Sequence, residues 1–159
     1  MSPPSSLFED DEAPFRVFMQ VSGTGHRIRN TQLFSALAES RSLRRLLSRY
    51  AQALFVQSTY TGFSNAHHRI EERLARWPCM VHDRSEGDEL RLTHDFLAAM
   101  LNVRRPGVTT ALHVLEGHHL IMAKRGAVTV RNREALQKFA GDAYGVPEHE
   151  FERLIGSMR

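Results

Sequence analysis

The sequence predicts a mainly α protein with a small β wing, in which a long helix is followed by a winged helix-turn-helix. Three observations carry this. Apolar residues recur at helical spacing through residues 42–80 with no proline before Pro78. Residues 92–130 then read as a helix, a tight turn, a second helix opening on two arginines, and a short basic hairpin. Finally, residues 100–133 carry six basic side chains (Arg104, Arg105, Lys124, Arg125, Arg131, Arg133) against one acid, Glu116.

A chain of 159 residues, 42% hydrophobic and 25% charged, has room for one good core or for a small domain plus a long helix. The net charge of +3 says little, but its distribution says more. Residues 41–76 hold seven arginines against Glu71 and Glu72, whereas residues 9–12 and the segment after Glu134 are net acidic. Only Lys124 and Lys138 are lysine, so the basic surface is built of guanidinium forks, which suit phosphates and guanine edges. Cys79 is the single cysteine, which excludes disulfides and cysteine-based metal sites within one chain and reads as a small core residue. No charged-then-apolar leader opens the sequence, and no apolar run approaches membrane-spanning length. The expectation is a cytoplasmic protein without membrane contact.

Along the chain, residues 1–14 are rich in proline, serine and acid and read as a disordered tail. Residues 15–21 alternate like a strand, residues 23–25 signal a turn, and residues 26–29 read as a second short strand. Asn30 or Thr31 is placed to cap a helix reaching Glu39, and Ser40 or Ser42 to cap the long one. Within the long helix a stripe runs through Leu43, Leu47, Tyr50, Leu54, Gln57 and Thr61. On a helix too long to hide in a small domain, such a stripe predicts a dimer seam; burial against the chain itself is the other reading. Pro78 predicts a kink or break near residues 75–77, and residues 83–89 read as a loop. Short helices are expected over residues 133–140 and 148–155, around a break at Gly145. The division is therefore a tail (1–14), a segment of strands and one helix (15–40), the long helix (41–77), the winged helix-turn-helix (78–133) and a helical tail (134–159).

In the winged segment, Thr93 is placed to cap the first helix, and Leu97, Met100 and Leu101 to face the core. Asn102 falls at the turn, where asparagine tolerates a left-handed backbone. The second helix starts near Arg104, with Pro106 in its first turn and Val108, Ala111, Leu112 and Leu115 as its buried stripe. Arg104 and Arg105 are locally wrong for folding, because cations at a helix N-terminus oppose its dipole by about 0.3–1 kcal/mol each. Binding a polyanion explains them: Arg105 is placed to read guanine and Arg104 to take phosphate. Thr109 and Thr110 are candidates for the groove, and Lys124 and Arg125, at the hairpin tip, for phosphate.

With these residues in hand, the chain resembles the C-terminal part of a Crp/Fnr-type transcriptional regulator. The most specific matches are HHRIEERLARW at residues 67–77, HDRSEGDELRLTHDFLAAML at 82–101 and VRRPGVTTALHVLEGHHLI at 103–121, with AGDAYGVPEHEFERL in the tail. The resemblance implies a homodimer joined through the long helix, each subunit presenting a recognition helix (about 104–117) to half of a palindrome in double-stranded DNA. It implies base reading by Arg105 and Thr110 and backbone contacts by Thr93 and His94, with RNA polymerase as a further partner. It also implies that residues 15–40 are a remnant of an N-terminal β-roll sensor. The family's G-E-L-type phosphate loop and cluster-binding cysteines have no counterpart here, so no cofactor and no cyclic nucleotide are expected. Pro106 replaces the acid that often follows the base-reading arginine, which predicts a different operator.

The competing readings are weaker. His113, His118 and His119 do not share a helix face, and His67 and His68 with Glu71 and Glu72 lack a third ligand, so no metal site is expected. No phosphate loop or nucleophile–base spacing suggests an enzyme. The alternative function is a truncated dimerisation partner that modulates a full-length relative without reading DNA.

Overall fold

The computed structural model describes residues 4–8, 12, 17 and 23–157. Four helices come first in the ordered body: α1 (Asn30–Glu39), α2 (Arg41–His67), α3 (Ile70–His82) and α4 (His94–Leu101), with the two-residue strand β1 (Glu89–Leu90) before α4. Helix α5 (Arg105–Gly117), the hairpin β2 (Ile121–Lys124) and β3 (Ala127–Val130), then α6 (Arg133–Ala140) and α7 (Val146–Leu154) complete it. No helix among the described residues is long and apolar enough to cross a membrane.

The core forms where α3, α4, α5, α6 and the small sheet meet. The stripe expected on α5 is all there: Val108, Ala111, Leu112 and Leu115 are buried against Leu74, Ala75, Leu97, Leu101, Val128 and Leu136. Trp77 meets Phe96 edge-on across the α3–α4 contact. The sheet has the order β1-β3-β2, with both neighbours of β3 antiparallel to it. Strand β1 lies where a loop was expected; Leu90 pairs with Val128 and is fully buried, so two residues suffice to close the sheet.

The helix expected over residues 42–80 is two helices. His68 and Arg69 adopt extended backbone angles, and Glu72 restarts the helix by accepting the Arg69 backbone N–H at 2.9 Å. The His68 ring is pulled aside to the Asp142 carboxylate, 2.9 Å away, and that hydrogen bond holds the carboxyl below its usual range. The break therefore falls at residues 68–69, and the one expected near 75–77 does not occur. Pro78 sits inside α3, fully buried, where packing against α5 and α6 overrides its missing N–H. Helix α3 lies in the core beside α5 and α6 instead of extending the long rod.

Helix α2 packs on α7, and polar side chains brace it against α3 and the turn that follows α3. Arg73 donates to the Asn65 carbonyl at 3.0 Å, Arg76 to the Thr61 hydroxyl at 3.1 Å and Arg84 to Gln57 at 2.9 Å. Ser40 caps α2 by accepting from the Leu43 N–H. The cap of α1 is Arg29, without a side-chain bond, and not Asn30 or Thr31. Residues 26–29 pair with no strand among the described residues. The strand expected over 15–21 lies outside the described residues save for Val17, and among the described residues of the tail read as disordered Pro4–Phe8 form a 3-10 turn.

Cys79 is buried and its thiol is pushed up to about 12 by that burial. We expect no alkylation of the native protein by iodoacetamide at pH 8, and one equivalent after unfolding; rapid native labelling would contradict the packing of α3.

Candidate nucleic-acid interface

Helix α4 is capped as its sequence suggests, the Thr93 hydroxyl accepting the Phe96 N–H at 3.1 Å. It ends at Asn102, whose φ of 50° and ψ of 49° are left-handed. The Asn102 N–H bonds the Ala99 carbonyl and the Val103 N–H the Ala98 carbonyl, a Schellman closure that turns the chain sharply into α5. Helix α5 closes in the same way at His119, φ 56°, with His119 N–H on Glu116 and Leu120 N–H on Leu115. A β-carbon there is strained. His119→Gly is expected to raise stability by about 0.5–1 kcal/mol by removing that strain; a lowered urea midpoint would show that the imidazole does more than tolerate the turn.

Between α5 and the hairpin runs a groove of about 800 Å³. Thr93, His94, Asp95 and Arg105 line one side, His113 and Glu116 the helix wall, and Lys124, Arg125 and Gly126 the tip of the wing. The chain reverses there at Gly126, φ 80°, so the two cations stand at the turn. The structure thus gathers Thr93, His94, Arg105, Lys124 and Arg125 around one concavity. Arg104 and Thr110 are exposed beside it, and Thr109 is half-buried against α4, its hydroxyl 3.4 Å from His94 Nδ1. Arg105 is not free in solution: its guanidinium lies 3.6 Å from the Asp95 carboxylate, with both side chains largely exposed.

Sequence reasoning missed two groove residues. His113 stands on the exposed side of α5, three residues beyond Thr110 and seven beyond Pro106, so all three share a face. That spacing was legible, but His113 was weighed only as a metal ligand. Glu116 was counted only as the lone acid of a basic segment; in the structure it accepts a backbone bond from the wing, Ala123 N–H to Oε1 at 2.7 Å.

The stripe read as a dimer seam faces partly inward. Leu43, Leu47, Tyr50, Leu54, Gln57 and Thr61 are each half-buried in the single chain. Gln57 and Thr61 are engaged by Arg84 and Arg76. Leu46, Phe55 and Phe63 are exposed, at 49%, 67% and 45%.

Fold and groove together define a winged helix-turn-helix domain of the DNA-binding kind. Residues 72–139 match the Crp-like helix-turn-helix domain. Among the solved structures, the first that follows is similar at the level of fold, and the others are more distant. A Crp/Fnr-family regulator from Eubacterium rectale is similar with a TM-score of 0.50 and 17% identity, over 67% of this chain and 49% of that one. A CRP-family transcriptional regulator from Thermus thermophilus gives a TM-score of 0.46 and 21% identity, over 70% and 53%. The catabolite activator protein of Thermus thermophilus gives 0.44 and 21%, over 72% and 51%. The chain thus spans about half the length of the solved proteins it matches. No curated protein sequence matches it.

Proposed function

We propose that the chain reads a palindromic operator as a homodimer, with α5 of each copy in a major groove. The observation that carries this is the shared concavity of α5 and the wing, which Arg105, Lys124 and Arg125 line together. Arg105 swings from Asp95 to the O6 and N7 of guanine, and Thr110 and Thr109 supply the smaller base contacts. Thr93, His94, Arg104, Lys124 and Arg125 hold phosphates and set the register. The seam is assigned to α2 through Leu43, Leu47, Tyr50 and Leu54, continuing along Gln57 and Thr61.

Selection of binding sites from a random DNA pool, with Arg105→Ala beside the wild type, tests the reading. The expected result is a palindrome with half-sites about one helical turn apart. Arg105→Ala should lose about 1–3 kcal/mol on it and blur one base position per half-site. Equal loss on every sequence would remove Arg105 from base reading. Arg125→Ala should weaken all sequences evenly and lower the slope of log K against log salt by about one. Leu47→Asp and Leu54→Asp should give monomers; a variant still dimeric at micromolar concentration would move the seam elsewhere.

The second reading is a dimerisation partner that modulates a longer relative without reading DNA; the uncovered Leu46, Phe55 and Phe63 offer it a surface on α2. A folded wild-type chain that enriches no motif would select it.

A further inference from the structure

The acid in the groove is out of place on two electrostatic grounds. Glu116 lies in the last turn of α5, where a negative charge opposes the helix dipole, and it lines the concavity proposed to meet a polyanion. Its geometry supplies a reason for its presence. Strand β2 is an edge strand, since the sheet order is β1-β3-β2. Lys124 pairs with Ala127 across the two-residue turn, which makes Ala123↔Val128 a pair of the kind that exchanges no ladder bonds. The Ala123 N–H therefore points away from the sheet, toward α5, and Glu116 Oε1 accepts it at 2.7 Å. The next residue is Lys124, the first cation of the wing tip.

We propose that Glu116 is a positioning residue: it ties the edge of the wing to the end of the reading helix and so fixes how far Lys124 and Arg125 stand from Arg105. This rests on the DNA-reading function proposed above. Without the tie, the hairpin is held to α5 by apolar packing alone, and an edge N–H opens onto the groove. The wing cations then meet phosphates out of register with the bases that α5 reads.

Two variants and two readouts test it. Glu116→Gln keeps the acceptor and removes the charge; Glu116→Ala removes both. Hydrogen exchange at the Ala123 amide, measured without DNA, should be slow in the wild type and in Glu116→Gln and fast in Glu116→Ala. On the selected operator, Glu116→Ala should lower the salt slope by about one to two, as loss of the wing's phosphate contacts would. The preference at the Arg105 position should survive, and adding Arg125→Ala should change little more. Glu116→Gln should keep the wild-type slope. A wild-type salt slope in Glu116→Ala overturns the proposal, as does fast exchange at Ala123 in the wild type. If the wild type binds no DNA, the DNA reading fails and the role assigned to Glu116 with it, while Ala123 protection still reports whether the tie exists.

Discussion

Leu115→Ala is expected to cost about 2–5 kcal/mol, as truncating a fully buried leucine in a packed core does. Leu115 is wholly buried on the inner stripe of α5, and its carbonyl also closes the helix by accepting the Leu120 N–H. Removing its branched end leaves a void among side chains from several elements, which cannot all collapse into it. Against a total stability of about 5–15 kcal/mol, that is a large share. Urea unfolding followed by circular dichroism measures it. A loss under about 1 kcal/mol would mean that α5 is not packed as described.

The second large effect is expected at a polar site. Arg133, at the start of α6, donates to Asp83 at 2.8 Å, to the Tyr144 hydroxyl at 2.6 Å and to Cys79 Sγ at 3.1 Å, and its guanidinium lies over the Tyr144 ring. Tyr144 in turn donates to Asp83. Burial, followed by the bond to Asp83, pushes the phenol well above its usual range. Arg133→Ala leaves the Asp83 carboxylate without its counter-charge, held only by the Tyr144 hydroxyl. Its cost should approach about 3 kcal/mol, the low end for breaking a buried pair, because Arg133 and Asp83 keep some contact with water. Removing both charges with Arg133→Met and Asp83→Asn should recover much of the loss. A double variant as unstable as the single one would show that packing of the Arg133 stem, and not the charge left behind, sets the cost.

The helix-turn-helix was legible because its determinants are local. The spacing of Val108, Ala111, Leu112 and Leu115 fixes the inner face of α5, and Asn102 takes the left-handed turn that its side chain tolerates. Thr93 caps α4 through a hydroxyl three residues from its donor. Boundaries set by distant contacts were not legible. The break at residues 68–69 depends on a bond from His68 to Asp142, 74 residues away, and periodicity cannot register it. Attention went to Pro78, whose local penalty the packing around α3 absorbs, and not to Glu72, whose capping role restarts the helix. Strand β1 has two residues and no pattern of its own; it exists because β3 offers an edge. Along α2 the stripe read as a seam consists of half-buried positions, and a single sequence does not distinguish burial by α1 and α7 from burial by a second copy.

The two-residue joint at His68 and Arg69 has a mechanical consequence. Helix α2 is a rod of 27 residues, about 40 Å long at 1.5 Å per residue. It meets the reading head at one end, so it works as a lever. A sideways displacement of about 5 Å at the Arg41 end amounts to a tilt of only about 7° at the joint for a rod of that length. The braces from Arg73, Arg76 and Arg84 all grip α2 within its last eleven residues, close to the fulcrum, where leverage is least. Whatever bears on the far end of α2 therefore works at a mechanical advantage against these bonds and against the packing of α2 on α7.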